Sequence, residues 1–174
     1  MISKSKIVSK LELIVVTLLA LNPTINSFTQ AISKGTITAT IIAPVSIEWM
    51  DDMDFGNIAV SPTIAGTVQM APAGTLTAKG GVTLSANGTT GAASVNLTGL
   101  GNSTYSITLP NTALNLTYLN YTLSASSFTS NPSTTGTLTA GVQILTIGAT
   151  LHVGAAQPPG VYIATAFAVT VNYN

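Results

Sequence analysis

The residues whose types could support chemistry are one histidine and one acidic cluster. His152 is the only histidine, and the chain contains no cysteine and no arginine. Metal sites and catalytic triads both need a histidine together with further ligands or a nucleophile and an acid. His152 stands between Leu151 and Val153 in an alternating apolar run, so we expect its ring on the polar face of a strand. Because the chain has no second histidine and no cysteine as a partner for it, we predict no catalytic role for His152.

The acidic cluster lies in the stretch EWMDDMDFG, residues 48–56. It holds every carboxylate side chain after residue 31, namely Glu48, Asp51, Asp52 and Asp54. Hard cations prefer oxygen ligands, which raises a calcium site as a hypothesis, but the spacing does not match the D-x-[DN]-x-[DN]-G loop. The triplet DFG also occurs in the magnesium site of protein kinases, yet the glycine-rich loop, the strand lysine and the H-R-D loop are missing. We therefore predict solvated acids, with no catalytic, cofactor-binding or metal-binding residue and no cofactor.

Two other kinds of site can be proposed from single residues. Lys79 could form a lysine–asparagine crosslink, but it stands in AKGG, which predicts an exposed turn. Trp49, Tyr118 and Tyr121 are the aromatic residues that could form a carbohydrate-binding patch. We expect the two tyrosines to pack at strand ends.

The first 31 residues have the pattern of an export signal. Lys4, Lys6 and Lys10 precede the apolar run LELIVVTLLAL, residues 11–21, as in secretory signal peptides. The run is shorter than the roughly 20 apolar residues that a membrane span needs. We predict a signal peptide over residues 1–31, cleaved after Ala31, and one domain over residues 32–174. Cleavage after Ala20 and an uncleaved anchor are the alternatives.

The charge of the predicted mature chain excludes two classes of partner. After residue 31 only Lys34 and Lys79 are basic, against the four carboxylates of the acidic cluster. Nucleic-acid binding depends on many lysine and arginine contacts with phosphates, and a polybasic membrane surface needs a similar excess. We expect no nucleic-acid partner and no membrane span after signal cleavage.

Apolar residues alternate with polar ones along most of the predicted mature chain. The clearest runs are GTITATIIAPVSI (35–47), VQILTIGATLHV (142–153) and the final segment 161–173. Such alternation is typical of strands with one buried face, and turn-forming stretches such as NGTTG and AAQPPG separate the runs. Pro44 predicts an edge or a bend in the first strand, and Gly56 a bulge. The pattern predicts an all-β fold, a single antiparallel β-sandwich of about seven to nine strands.

Four stretches are similar to a known family. They are TATIIAPVSIEWMDDMDFGNI, GTVQMAPAGTLTAKGGVTL, STYSITLP and IGATLHVGAAQPPGVYIATAFAVTVNYN. Together they resemble a bacterial exported family, domain-of-unknown-function family 4402, over nearly the whole of residues 32–174. The resemblance implies no established activity.

The chain also resembles, more distantly, chaperone–usher pilins and spore-coat-U-like subunits, which implies an immunoglobulin-like or pilin-like sandwich. Those chains finish on a strand with an aromatic residue beside the last one, as Tyr173 stands beside Asn174. The resemblance implies a terminal strand that pairs with a partner by strand addition. The pilin-type disulfide is missing, and only residues 32–34 precede the first predicted strand, which leaves no donor extension. We expect the terminal strand to pair within its own sheet.

These observations favour a non-enzymatic structural or adhesion protein, a pilin-like subunit that is secreted, periplasmic or on a bacterial cell surface. Its expected partners are other copies of itself or a component of a surface or pilus assembly, bound by strand pairing. The alternative is an extracellular carbohydrate- or ligand-binding β-sandwich module.

Overall fold

A computed structural model describes residues 31–165 and 167–174 of the chain. In these residues the protein is all-β and contains no helix, as the alternation predicts, and thus no helix long and apolar enough to cross a membrane. The chain divides into two units, and we call the second, Ile41–Asn174, the compact unit. Residues 31–40 belong to the other unit, and they are exposed and have no regular secondary structure. Except for Ala31, the predicted signal peptide lies outside the described residues.

Thirteen strands make up the compact unit. They are β1 (Ser46–Asp51), β2 (Ile58–Val60), β3 (Gly66–Met70), β4 (Leu76–Gly80), β5 (Val82–Leu84), β6 (Ala93–Thr98), β7 (Thr104–Thr108), β8 (Leu114–Tyr118), β9 (Tyr121–Asn131), β10 (Thr135–Thr137), β11 (Val142–Val153), β12 (Ile163–Ala164) and β13 (Thr170–Tyr173). Four of them, β2, β5, β10 and β12, have only two or three residues. Strands this short show no measurable alternation in a sequence, which is why the structure has more strands than the pattern predicts.

The strands form three sheets with antiparallel ladders. The largest sheet has the order β1-β6-β11-β9-β8-β12, and β3 and β4 extend it beside the second half of β11. A three-stranded sheet has the order β10-β7-β13, and β2 pairs with β5 alone. β11 is the centre, since β9 pairs with one of its sides while β6 and then β3 share the other.

Gly148 stands where β11 changes neighbour from β6 to β3. A Cβ atom at this position would overlap the carbonyl oxygen of Met70, which is backbone and cannot move aside. On the other side of β11, Ser127 of β9 has φ 53°. Between the ladder pairs Gly148–Thr129 and Thr150–Ser126, β9 has two residues where β11 has one. This extra residue makes a β-bulge, and Ser127 lies in it. Gly148 and the bulge in β9 lie at the same level of the sheet, and together they let β11 pair with three neighbouring strands.

Two buried clusters hold the sheets together. The first joins β6 and β11 to β7 and β13, and consists of Ala93, Val95, Leu97, Tyr105, Leu138, Leu145, Ile147 and Val171. The second joins β3, β9 and β11 to β5, and consists of Val68, Val82, Leu123, Ala125, Leu151 and Val153. Each fully buried aliphatic side chain contributes about 1.5–3 kcal/mol. Because β11 supplies residues to both clusters, the smaller sheets pack onto one shared strand.

The first strand differs from the prediction. The alternation predicts a strand over residues 35–47, but the ladder with β6 begins only at the pair Ser46–Thr98. Pro44 has no N–H to donate to a ladder, and pairing starts beyond it. Residues 31–45 have no strand at all. The bulge predicted at Gly56 is instead a tight turn, in which the Gly56 N–H donates to Oδ1 of Asp54 at 2.8 Å.

Gly148→Ala should lower the free energy of unfolding by about 3 kcal/mol or more, because the new methyl group overlaps backbone at a close approach. Gly91→Ala is the matched control, since a Cβ atom at Gly91 would meet nothing within 4 Å, and it should change stability by less than about 0.5 kcal/mol. Urea unfolding followed by fluorescence measures both. Equal stability of the two variants would contradict the role of Gly148.

Tyr105→Phe should leave the protein as stable or raise its stability by about 1 kcal/mol. The Tyr105 side chain is fully buried, and its hydroxyl has no hydrogen-bond partner among the described residues, so its removal relieves an unsatisfied polar group. Burial raises the pKa of Tyr105 above its ordinary value. Because the folded state keeps the phenolic proton to a higher pH than the unfolded state, the stability of the protein falls as the pH rises above about 10.

The stability of Tyr105→Phe should therefore fall less steeply than that of the unsubstituted protein above about pH 10. Tyr121→Phe, at an exposed tyrosine, is the control and should keep the original slope. Thermal unfolding between neutral and alkaline pH measures the difference. A parallel decline in the stability of all three proteins would show that Tyr105 does not cause the loss of stability at alkaline pH.

Candidate functional site

His152 lies on the exposed face of β11, as its sequence position predicts. Its Nε2 atom is 2.9 Å from Oγ of Ser126, and its neighbours across the ladders are Thr67 and Ser124. All three neighbours carry hydroxyl groups, which are uncharged at neutral pH. No carboxylate hydrogen-bonds to the ring within residues 31–165 and 167–174. The surroundings are a hydroxyl-rich sheet surface and give the imidazole no acid to orient it.

The acidic residues are spread over β1 and the turn that follows it. Oδ2 of Asp51 accepts a hydrogen bond from Oγ of Ser94 at 2.6 Å, and Asp54 accepts one from the Gly56 N–H in its turn. Within the described part of the chain, no three side chains of the metal-binding types are grouped so that they could hold an ion. Asp51 thus links β1 to β6, and Asp54 stabilises the turn after β1.

The three aromatic residues of the carbohydrate hypothesis are not brought together. Trp49 is on β1, whereas Tyr118 and Tyr121 flank the turn between β8 and β9, which lie four and three strands away in the same sheet. At about 4.8 Å per strand, the separation from β1 to β8 is roughly 19 Å along the sheet. Trp49 instead packs edge-on against Phe167, with ring centroids 5.1 Å apart. The two tyrosines do lie at strand ends, as predicted.

A cleft of about 600 Å³ lies between β2 and the loop that precedes β12. Two of its polar side chains, Gln157 and Tyr162, already bind each other. The Tyr162 hydroxyl donates to the carbonyl of Pro158 at 2.9 Å and lies 3.1 Å from Nε2 of Gln157. Nε2 of Gln157 also donates to the carbonyl of Thr122 at 3.3 Å. The turn-forming stretch AAQPPG predicts a loop here but gives no sign of the cleft, because β2 lies almost a hundred residues earlier in the chain.

One surface of the compact unit is formed where β1 and the segment that ends in β13 both pack on the first cluster. We call it the β1–β13 flank and define it by partly buried apolar side chains that pack on the first cluster: Val45, Ile47, Phe167, Val169 and Tyr173. Phe167 also packs against Phe128, with centroids 5.4 Å apart. Although β1 and β13 contribute to the same cluster, they belong to different sheets and share no ladder. The flank therefore covers the fully buried first cluster with apolar side chains that are themselves only partly buried.

Tyr173 fixes the geometry of this flank. Its hydroxyl accepts a hydrogen bond from the Leu100 N–H at 2.7 Å and donates one to the Ala43 carbonyl at 3.2 Å. Gly99 leaves room for the hydroxyl, because a Cβ atom at this position would overlap the hydroxyl oxygen. The tyrosine beside the last residue thus ties the turn after β6 and the segment before β1 to β13.

One side of β13 has no partner strand. The Asn174 N–H donates to the Thr104 carbonyl at 3.2 Å, and residues along an antiparallel ladder alternate in whether their backbone groups face the partner. Backbone groups of Asn172 therefore face β7, while those of Val171 and Tyr173 face away. Among the described residues no strand pairs with that outer side. The terminal strand pairs within its own sheet, which confirms that prediction, and it is at the same time an edge.

Other edges in the described residues differ from β13 in charge or length. β1 carries Glu48 and Asp51, and β4 carries Lys79. β2, β5, β10 and β12 have two or three residues each. Charged side chains and short length are the usual protections of an exposed edge. β13 has four residues and no charge, and it lies beside the apolar β1–β13 flank, so neither protection applies to it.

Tyr173→Phe should lower the free energy of unfolding by about 1–2 kcal/mol, since two hydrogen bonds of ordinary strength are lost. Tyr121→Phe, at a tyrosine 47% exposed, serves as the control and should stay within about 0.5 kcal/mol of the parent. Chemical denaturation of the purified proteins gives both values. An unchanged midpoint for Tyr173→Phe would show that the hydroxyl does not hold the flank together.

Comparison with known proteins gives a family and nothing closer. The family model of a domain of unknown function, DUF4402, matches residues 45–173, which span β1 to the end of β13. Searches of the curated proteins and of the solved structures found no match. The match covers both buried clusters and the β1–β13 flank, and the chain therefore belongs to the DUF4402 family.

Proposed function

We propose that this protein is a non-enzymatic structural subunit of a bacterial surface assembly, exported by its N-terminal segment and joined to its neighbours by strand pairing. The single observation that carries the proposal is the uncharged, unpaired outer side of β13 beside the apolar β1–β13 flank. A sheet edge of this kind is a template for strand addition. The finer description that we propose for the fold is a pilin-like sandwich, in which the three-stranded sheet faces β6 and β11.

The packing around the edge supports this function. The first cluster is fully buried on the side of β6 and β7, yet the side chains of the β1–β13 flank remain partly exposed over it. An added strand would extend the three-stranded sheet and cover those side chains at once. Backbone hydrogen bonds and apolar burial would then act together, which is how strand addition obtains both affinity and register.

The alternative proposal is an extracellular carbohydrate- or ligand-binding module. The cleft of about 600 Å³ near Tyr162 favours it by size, because small-molecule sites have volumes of this order. Its support is weaker than that of the strand edge for two reasons. Gln157 and Tyr162 are hydrogen-bonded to each other rather than free for a ligand, and Trp49 lies on another part of the surface.

Thr170→Lys should abolish assembly without unfolding the protein. Thr170 is exposed on β13, and a lysine on an edge strand opposes further pairing. Thr135→Lys is the control, because Thr135 is exposed on β10 at the opposite edge of the same sheet. Light scattering coupled to size exclusion should show multimers for the parent and for Thr135→Lys but monomers for Thr170→Lys.

Two results would refute the proposed function. One is a parent protein that stays monomeric at every concentration tested, and the other is equal assembly of the two lysine variants. Circular dichroism of each variant verifies that the β fold is retained, so that a loss of assembly is not mistaken for a loss of structure.

A further inference from the structure

The loop between β5 and β6 contains the one Asn–Gly pair of the sequence, Asn87–Gly88. The backbone nitrogen of the residue after an asparagine can attack the side-chain amide, and a glycine there has no side chain that hinders the approach. Both residues are exposed and belong to no strand. Backbone at the tip of a loop can also rearrange more easily than backbone in a ladder. The pair therefore meets the steric requirements for a reaction within the chain.

The backbone nitrogen of Gly88 is available for this reaction. Its N–H donates no backbone hydrogen bond within the part of the chain that the structure describes. Asn102–Ser103, in the turn after β6, offers a comparison, because a small residue again follows an exposed asparagine. There the Ser103 N–H donates to the Leu100 carbonyl at 3.3 Å. The proton that the reaction must remove is thus held at Ser103 and not at Gly88.

The side chain of Asn57 contacts the peptide group that would react. Its Nδ2 atom donates to the Asn87 carbonyl oxygen at 2.8 Å. This oxygen and the Gly88 nitrogen belong to one conjugated peptide group, so negative charge left on the nitrogen by loss of its proton is shared with the oxygen. A hydrogen bond to the charged form of a group favours that form. Asn57 therefore favours loss of the proton from the attacking nitrogen.

The fold holds Asn57 beside this loop, although the two asparagines are 30 residues apart in the sequence. Ile58 and Leu84 form the adjacent pair of the ladder between β2 and β5. The Ser85 N–H then donates to the Asn57 carbonyl at 2.9 Å, and the Asn87 N–H donates to Oγ of Ser85 at 3.3 Å. The amide donor is therefore in place only while β2 and β5 are paired.

We propose that Asn87 is a site of spontaneous modification, at which the Gly88 nitrogen closes a ring on the Asn87 side chain with Asn57 as a positioning residue. The nitrogen gives its proton to a solvent base and bonds to Cγ of Asn87. The bond from Cγ to the side-chain nitrogen breaks, and ammonia leaves with a proton taken from solvent. Water then adds to one of the two carbonyls of the cyclic imide and breaks the bond from that carbonyl to the Gly88 nitrogen. The product is an aspartate or an isoaspartate, and nothing is oxidised or reduced.

The isoaspartate product suits this position. Its new carboxylate is built on the former carbonyl carbon of Asn87, which is the group that Nδ2 of Asn57 contacts. A hydrogen bond to a carboxylate is stronger than one to a neutral carbonyl. Asn57 and Gly88 also line the cleft near Tyr162, together with Asp54. The modification therefore adds a carboxylate at the border of the cleft, which is a surface that the proposed strand pairing does not use.

Mass spectrometry of the folded protein during incubation at mildly alkaline pH measures the reaction. Conversion raises the mass of the peptide that contains Asn87 by about one dalton, and the converted protein should elute later from an anion exchanger. Asn87→Gln should abolish the change, because a glutamine side chain would have to close a larger ring. Asn102 is the internal control, and we expect it to stay intact in the folded protein and to begin to react in urea.

Asn57→Ala tests the amide donor. In the folded protein we expect modification of Asn87 roughly threefold to tenfold slower than in the parent, since one hydrogen bond to a developing charge is lost and water partly replaces it. Asn57→Asp has nearly the same size but no donor, and it should be slow as well. In urea the parent and both variants should react at one rate, because residue 57 no longer lies beside the loop.

Two results would overturn the inference. One is an Asn87 that reacts in urea but stays intact in the folded protein. The other is faster modification in Asn57→Ala than in the parent, because a contact that merely restrained the loop would give that opposite sign. Circular dichroism verifies that each variant keeps its β fold. Asn87→Gln should assemble like the parent, so either proposal can fail without the other.

Discussion

The structure depends on β11 pairing with three neighbours at once. β9 accompanies one side of this twelve-residue strand, and β6 and β3 divide the other side at Gly148. The first half of β11 contributes Leu145 and Ile147 to one buried cluster, and the second half contributes Leu151 and Val153 to the other. A chain without disulfides, with few charges, can hold three sheets together in this way because every smaller sheet packs on residues of one shared strand.

A second constraint is the small number of charges. From residue 80 to the end the chain carries no charged side chain other than the titratable His152, so hydroxyl groups of serine and threonine provide most of the polar surface. Charge on edge strands is a common means of preventing association. Here Glu48, Asp51 and Lys79 protect β1 and β4, and β13 has no such residue. The distribution of so few charges is what makes one edge of the protein different from the others.

The individual residues that could do chemistry remain apart in the fold. His152 contacts a serine hydroxyl, Asp51 binds a serine of β6 and Asp54 binds its own turn, and Gln157 and Tyr162 of the cleft bind each other. The features that do converge are a strand edge, an apolar flank and a tyrosine hydroxyl that joins Leu100, Ala43 and β13. This convergence suits recognition by backbone pairing, and it is the physical basis for the subunit role that we propose.

Periodicity in the sequence predicted the all-β class, the exposed face of His152, the positions of Tyr118 and Tyr121 at strand ends, and a strand in the final segment. These follow from local alternation, because side chains of an extended chain point to opposite faces whatever the strand pairs with. The same alternation runs through residues 35–45, where it predicted a strand that the single chain does not form. A strand needs a neighbour as well as a pattern.

Only the tertiary structure decided which strands become neighbours and which edge stays open. Gly148 is one of many glycines in the sequence, and its role appears only when Met70 approaches it. Trp49 lies four strands from Tyr118 because β6, β11 and β9 come between them. Ladder pairing joins residues that are distant along the chain, and no local pattern records the identity of the partner strand. The sequence by itself therefore determined which side chains share one face of an extended segment, and long-range pairing decided whether that face is buried and by what.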